Sequence, residues 1–311
     1  MMLIDKLQAG IMGSVIGDAI GVPYEFRSRN EMKYNPCTDI VGYGTYNKPI
    51  ATWSDDSSMV LATMDSIVNK NFNLDKMMLN FIEWQVNGKY TQDGFMFSIG
   101  NTTATALNGY KNTLNTEICG QKGENSNGNG SLMRILPVAI YLYNKCGVTA
   151  LRDEENINLV KKISALTHAH DICKEACLIY ISVALHLLNE EGKDGIIKGM
   201  EEAKQFAKNK AFNRLFSSDF FKMAEDDLSG SGYVVNTLES SLYIAYNTST
   251  YRESILTAVN LGNDTDTTAS VTGGLTGILY GYEAIPQGWK DQIRNKDYVL
   301  VMCNKFINDI T

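Results

Sequence analysis

Histidine and proline are scarce, with 3 His and 5 Pro in 311 residues, and the 6 Cys are dispersed at positions 37, 119, 146, 173, 177 and 303. No C-x-x-C pair occurs, which excludes the usual thiolate zinc site and dithiol redox motif, so reduced thiols buried on helices are expected. No apolar stretch approaches the roughly 18 residues that span a bilayer. The opening Met1-Met2-Leu3-Ile4-Asp5 lacks the basic start and apolar run of a secretion signal, so a cytoplasmic protein is the expectation. Long runs of like charge are also missing. The formal net charge of -7 repels nucleic-acid phosphates and anionic membranes, which leaves small molecules or proteins as partners.

The composition is that of a folded chain, 44% hydrophobic and 20% charged. Apolar residues recur at helical spacing in Leu3-Leu7-Ile11-Val15, Val60-Met64-Ile67, Leu159-Ile163-Leu166 and Ile179-Val183-Leu187. Further helices are expected over 72–86, 132–144, 196–210, 235–247, 252–261 and 268–281, and strand-like alternation is rare. An all-α fold follows, read as a single domain over residues 1–311. Two Asn/Gly/Ser-rich stretches, Gly120 to Ser131 and Ser229 to Gly232, read as loops within that domain, because the composition on either side does not change. No heptad seam argues for assembly, so a monomer is expected.

Oxygen-bearing side chains cluster twice. Thr52-Trp53-Ser54-Asp55-Asp56-Ser57-Ser58-Met59 opens a helix expected to run to about Val68, and Asn263-Asp264-Thr265-Asp266-Thr267-Thr268 opens an apolar one to Gly281. Either run alone reads as an N-cap, since Ser and Asp are preferred there and acids favour the helix dipole. Two such runs on facing helices could instead supply the hard oxygen ligands of Mg²⁺, Mn²⁺ or Ca²⁺. An EF-hand starting at Asp264 fails, with Ala269 where the loop needs Gly and Leu275 where it needs Glu. A dinucleotide fingerprint starting at Gly128 fails at Met133.

Two further candidates stand outside those runs. In Gly13 to Phe26 a helix rich in small residues gives way at Gly21 to a Pro-containing turn bearing Glu25, a carboxylate beside apolar Tyr24 and Phe26 and so a candidate acid or base. His168, read as helical, has Thr167 and Asp171 nearby to orient its ring.

Taken together, Gly17-Asp18-Ala19-Ile20-Gly21-Val22-Pro23-Tyr24-Glu25-Phe26, Trp53 to Met59, Gly128-Asn129-Gly130-Ser131-Leu132-Met133-Arg134, Thr167-His168 and Asp264-Thr265-Asp266-Thr267 resemble the ADP-ribosylglycohydrolases, in family order along nearly the whole chain. The resemblance implies a compact single-domain orthogonal helical bundle around a central dimetal site. It further implies two Mg²⁺ or Mn²⁺ ions held by Ser54, Asp55, Asp56, Asp264, Asp266 and Thr267, with Glu25, Asp55 and Asp266 carrying the chemistry. Ser126, Gly128, Asn129, Gly130, Ser131, Met133, His168 and Tyr233 would hold ADP-ribose. The implied reaction is hydrolysis of the glycosidic bond between ADP-ribose and an acceptor, on an ADP-ribosylated protein or an ADP-ribose-containing small molecule.

The chain departs from the family pattern in places. Ser54 and Ser57 stand where Thr is usual, Asn263 where Gly precedes the second acidic run, and Ser98 where Asp is frequent. Asn263 is expected to add a side chain beside the metal, and Ser98 to remove an acid from it. These two changes leave open an alternative, a non-catalytic ADP-ribose-binding or toxin-blocking immunity protein on the same fold.

Overall fold

Every residue from Ala9 to Gly21 is buried, so the first helix has no solvent face and must lie at the centre of the molecule. The computed structural model describes residues 2–189 and 192–311, and among them fourteen α-helices are joined by short turns and 3₁₀ segments. The first seven are α1 Leu3–Gly21, α2 Arg29–Tyr34, α3 Asp55–Met64, α4 Leu74–Asn87, α5 Asn101–Thr113, α6 Leu136–Cys146 and α7 Glu154–Ala165. The remainder are α8 Asp171–Asn189, α9 Asp194–Ala203, α10 Val234–Asn247, α11 Tyr251–Asn260, α12 Thr265–Tyr280, α13 Gln287–Gln292 and α14 Lys296–Ile310. One continuous apolar cluster connects residues from Leu7 to Ile310, as an all-α domain requires.

At the centre α1 crosses α12, which is itself buried from Thr265 to Ile278. The helices meet backbone to backbone. A Cβ on Gly17 would lie 2.1 Å from the Ala269 carbonyl oxygen, and one on Gly21 would lie 2.3 Å from the Asp266 Cα. No side chain larger than hydrogen fits at either crossing point. Around them Ser14 Oγ meets Ser270 Oγ at 2.8 Å, Tyr251 donates to the Gly13 carbonyl at 2.6 Å, and Thr265 donates to the Gly21 carbonyl at 2.8 Å. These bonds satisfy polar groups that burial would otherwise leave unpaired. Lys6, also buried, donates to the Leu187 and Leu188 carbonyls and so places a cation at the C-terminal end of α8.

Several helix boundaries differ from the sequence expectation. The helix from Asp55 stops at Met64, and Ile67–Val68 pairs with Asn71–Phe72 as a short antiparallel hairpin, β1 and β2. Its turn residues Asn69 and Lys70 both have positive φ, the geometry that closes a two-residue hairpin. Pro137 sits in the first turn of α6, which therefore starts at Leu136 rather than 132. The helix expected over 196–210 runs from Asp194 and ends at Ala203, and beyond it Glu175 takes the backbone N–H groups of Lys208 and Asn209, both at 2.9 Å. Leu166 is the C-cap of α7, and of the six thiols Cys146 is exposed rather than buried. No helix among the described residues is long and apolar enough to cross a membrane.

Candidate functional site

The α1–α12 crossing fixes where the acids go. Asp18 lies one turn before the end of α1, Asp264 is the N-cap of α12 with Asp266 in its first turn, and Ser54 is the N-cap of α3. The Asp18 carboxylate accepts from Ser54 N at 3.0 Å, Ser57 N at 2.9 Å and Ser57 Oγ at 2.5 Å. An acid on one helix thus caps another and pins α3 against α1. Asp56 Oδ2 accepts from Ser54 Oγ at 3.3 Å and from Thr267 Oγ1 at 3.1 Å, which ties α3 to α12. The two acidic runs are therefore one site.

Two triads of carboxylate oxygens result, Asp18 with Asp56 and Asp266, and Glu25 with Asp264 and Asp266, each set lying within 4.8 Å. Asp266 belongs to both. None of these acids forms an ion pair with Lys or Arg among the described residues. Burial, reinforced by the neighbouring acids, pushes the carboxyls of Asp55, Asp56 and Asp266 well above their ordinary range. Burial also raises Asp18 to about 6, restrained by the Ser57 and Ser54 hydrogen bonds. Glu25 rises to about 7 through burial, against the opposing hydrogen bond from Tyr46. Asp56 Oδ1 is buried and has no hydrogen-bond partner. An all-oxygen set with surplus negative charge and a free buried oxygen fits a hard divalent cation, and it lacks the His and Cys ligands that zinc favours.

A pocket of about 260 Å³ opens above the acids. Glu25, Asp55, Ser98, Asp264, Asp266 and Thr267 line one end, Gly128, Gly130, Met133, His168 and Thr103 line a second, and Asn129 and Gly232 join the two, Asn129 Nδ2 donating to Asp264 Oδ2 at 2.9 Å. Arg134, fully buried, holds the second end together: it donates to the Gly130 carbonyl, to Thr167 Oγ1 at 2.8 Å and to the Ile163 carbonyl at 3.2 Å. Thr167 Oγ1 meets His168 Nδ1 at 2.8 Å. Arg134 and the His168 ring thus share the Thr167 hydroxyl, which holds the ring in place and leaves Nε2 for the pocket. A Cβ on Gly130 would come within 2.7 Å of His168 Cε1, so only glycine lets the loop pass the ring. The ring sits on the connection between α7 and α8, beside Gln121, rather than on a helix.

Of the remaining expected residues, Ser54 and Asp56 lie beneath the pocket wall, and Ser131 is buried behind it, its Oγ bonded to Ser164 Oγ at 3.0 Å. Ser126 and Tyr233 lie outside the lining. Tyr233 flanks the loop through backbone pairing, Asn129 N to the Gly232 carbonyl and Val234 N to the Asn127 carbonyl, both at 3.0 Å. Asn263 does not add a side chain to the acids. It is exposed, and its backbone instead bonds Phe26 N and the Arg27 carbonyl, each at 2.6 Å, clamping the turn that carries Glu25. Ser98 lines the pocket and donates to Glu25 Oε2 at 3.3 Å.

Asp18, Arg134 and the α5 start, Asn101 to Thr103, were not among the sequence candidates. Asp18 carried a readable signal, an acid between Gly17 and Gly21 in a segment otherwise small or apolar. Arg134 closed the Gly128-to-Arg134 segment that carried the family resemblance but was given no role there, and Thr103 carried no signal, because a helix-start threonine looks the same in sequence wherever it serves.

The whole chain, residues 1–311, matches the family described as ADP-ribosylglycohydrolase. It is similar to the ADP-ribosylarginine hydrolase of Pseudomonas putida, 29% identical over 93% of this chain and 74% of that one. It also resembles the ADP-ribosyl-[dinitrogen reductase] glycohydrolase of Rhodospirillum rubrum, 26% identical over 94% and 91%. Among solved structures, one titled ADP-ribosylglycohydrolase-related protein complex superposes with a TM-score of 0.83 at 23% identity over 99% of both chains, which shows a shared fold. The match along its full length, with the acids of α1, α3 and α12 gathered under one pocket, makes the chain a member of the ADP-ribosylglycohydrolase family.

Proposed function

We propose that this protein hydrolyses the bond between the anomeric ribose carbon of ADP-ribose and an acceptor side chain on a modified protein, with arginine as the first acceptor to test. The observation that carries this reading is the pair of carboxylate triads sharing Asp266 beneath a pocket with a glycine-built far wall. Arginine is favoured because two relatives, from Serratia proteamaculans at 27% identity and Pseudomonas putida at 29%, are ADP-ribosylarginine hydrolases.

Asp18, Ser54, Asp55, Asp56, Asp264, Asp266 and Thr267 would hold two divalent cations, Mg²⁺ or Mn²⁺. Bound there, such ions supply positive charge to grip the vicinal ribose hydroxyls and to activate water. The chain's own groups do the rest. Gly128 to Met133, with the His168 ring, orient the distal ribose and diphosphate, and Tyr233 and Ser126 flank the adenine end. Glu25, whose raised proton affinity lets it hold a proton near neutral pH, donates it to the leaving acceptor atom as the glycosidic bond breaks. It then takes a proton from the water whose hydroxyl joins the anomeric carbon.

Incubation with arginine-linked ADP-ribosylated protein should release free ADP-ribose in the presence of Mg²⁺ or Mn²⁺ and cease on chelation. Asp55→Asn and Asp266→Asn should each abolish release, with the helical circular dichroism signal retained. Binding of ADP-ribose without release from arginine-, serine- or otherwise linked substrates would select the non-catalytic reading instead.

A further inference from the structure

Glu25 sits at the edge of a cluster of aromatic rings that the pocket itself does not use. Tyr46 is its hub. The Tyr46 hydroxyl lies 2.9 Å from Ser98 Oγ, which in turn donates to Glu25 Oε2, while the Tyr46 ring lies 6.3 Å from Phe26 and 5.1 Å from Phe97, tilted by 58° and 59°. Thr45 Oγ1 donates to the Glu25 carbonyl at 2.6 Å and fixes this segment to the acid.

Phe26 is 69% exposed, so its ring is open to a ligand beside Glu25. Its backbone is in the left-handed region at φ 67°, which L-residues avoid, and Ser98 is there too at φ 64°. Neither residue is glycine. The conformation at Phe26 persists because Asn263, itself at φ 61°, bonds the flanking backbone on both sides. Strain of this kind holds the Phe26 ring outward beside the acid while Ser98 turns its hydroxyl in to Glu25.

We propose that Phe26, Tyr46 and Phe97 form an acceptor-binding shelf on which the planar guanidinium of an ADP-ribosylated arginine lies as Glu25 serves its glycosidic nitrogen. This rests on the hydrolase reading above. The leaving atom must face Glu25, so the rest of the acceptor has to run out of the pocket past these rings. Ring faces attract planar cations, Arg above all. Lys48 Nζ already covers the Phe97 ring, 4.7 Å from its centroid, so the guanidinium is left the Phe26 and Tyr46 rings. The net charge of the molecule, -7, favours the same cationic class.

The test compares an arginine-linked conjugate with ADP-ribose alone. Phe26→Leu keeps apolar bulk at an exposed position, so folding is not at issue, and it should raise the KM for the arginine conjugate about fivefold. Calorimetric affinity for ADP-ribose should change less than twofold, and Phe26→Tyr should restore the KM. An unchanged KM, or an equal loss of ADP-ribose affinity, would overturn the shelf. If the wild type turns over no conjugate, the hydrolase reading fails on its own, and the shelf still requires ADP-ribosylarginine to bind several-fold more tightly than ADP-ribose, with Phe26→Leu erasing the difference. Equal binding of the two would then overturn it.

Discussion

His168 meets the pocket only because its surroundings keep it neutral. Burial, with Arg134 close by, lowers its imidazole from the ordinary range to about 3. The unfolded chain binds that proton below about pH 6.5 and the folded chain does not until about pH 3, so this group removes stability as pH falls through that window. At pH 5 the penalty is about 2 kcal/mol. His168→Gln keeps a polar side chain there and cannot titrate. Between pH 7.5 and pH 5.0, unfolding free energies from urea titrations should therefore shift by about that amount in favour of the variant, and a constant gap would show that His168 is not held neutral. Asp18 teaches the complementary lesson at the same scale. Its place in a helix was legible, but its role was not, because only the crossing with α12 reveals that its carboxylate caps α3.

The crossing of α1 and α12 is what turns two cap-like acidic runs into one site. The sequence showed that α1 packs through small residues, and the structure shows what they pack against. A methyl at Gly17 would meet the Ala269 carbonyl at 2.1 Å, and backbone on both sides cannot give way. Gly17→Ala should thus cost at least about 3 kcal/mol and weaken divalent-cation binding, as Asp18 and Asp266 are pushed apart. The matched control is Gly288→Ala, exposed on α13, whose new methyl meets only the tip of Gln292, and which should stay within about 1 kcal/mol of the parent. Equal effects at the two positions would mean that the close approach does not govern assembly. Elsewhere at this scale α8, α10, α11 and α12 followed from apolar period. Helix α14 was missed, although Val299, Met302, Cys303, Phe306, Ile307 and Ile310 are buried at helical spacing. Helix α5 was missed as well, because its Thr- and Asn-rich sequence has a weak apolar stripe and only Thr103, Ala106, Leu107 and Tyr110 are buried.

For the molecule as a whole, the acids at the centre cost stability unless a cation joins them. Six carboxylates converge at the helix ends, several held well above their ordinary proton affinity by burial and by each other. A ligand that binds only the folded state stabilises it, by about 2.7 kcal/mol at a hundredfold excess over its dissociation constant. Mg²⁺ or Mn²⁺ should accordingly raise the melting temperature, and a chelator should lower it. Asp56→Asn separates this from a general salt effect. The amide keeps the shape, removes one buried charge, and places a donor at the oxygen that now has no partner. In chelator the variant should therefore melt above the wild type, and in saturating divalent cation below it, so that the two curves cross as cation is added. Parallel curves would mean that Asp56 belongs to a structural cap and that the cations, if any, bind elsewhere.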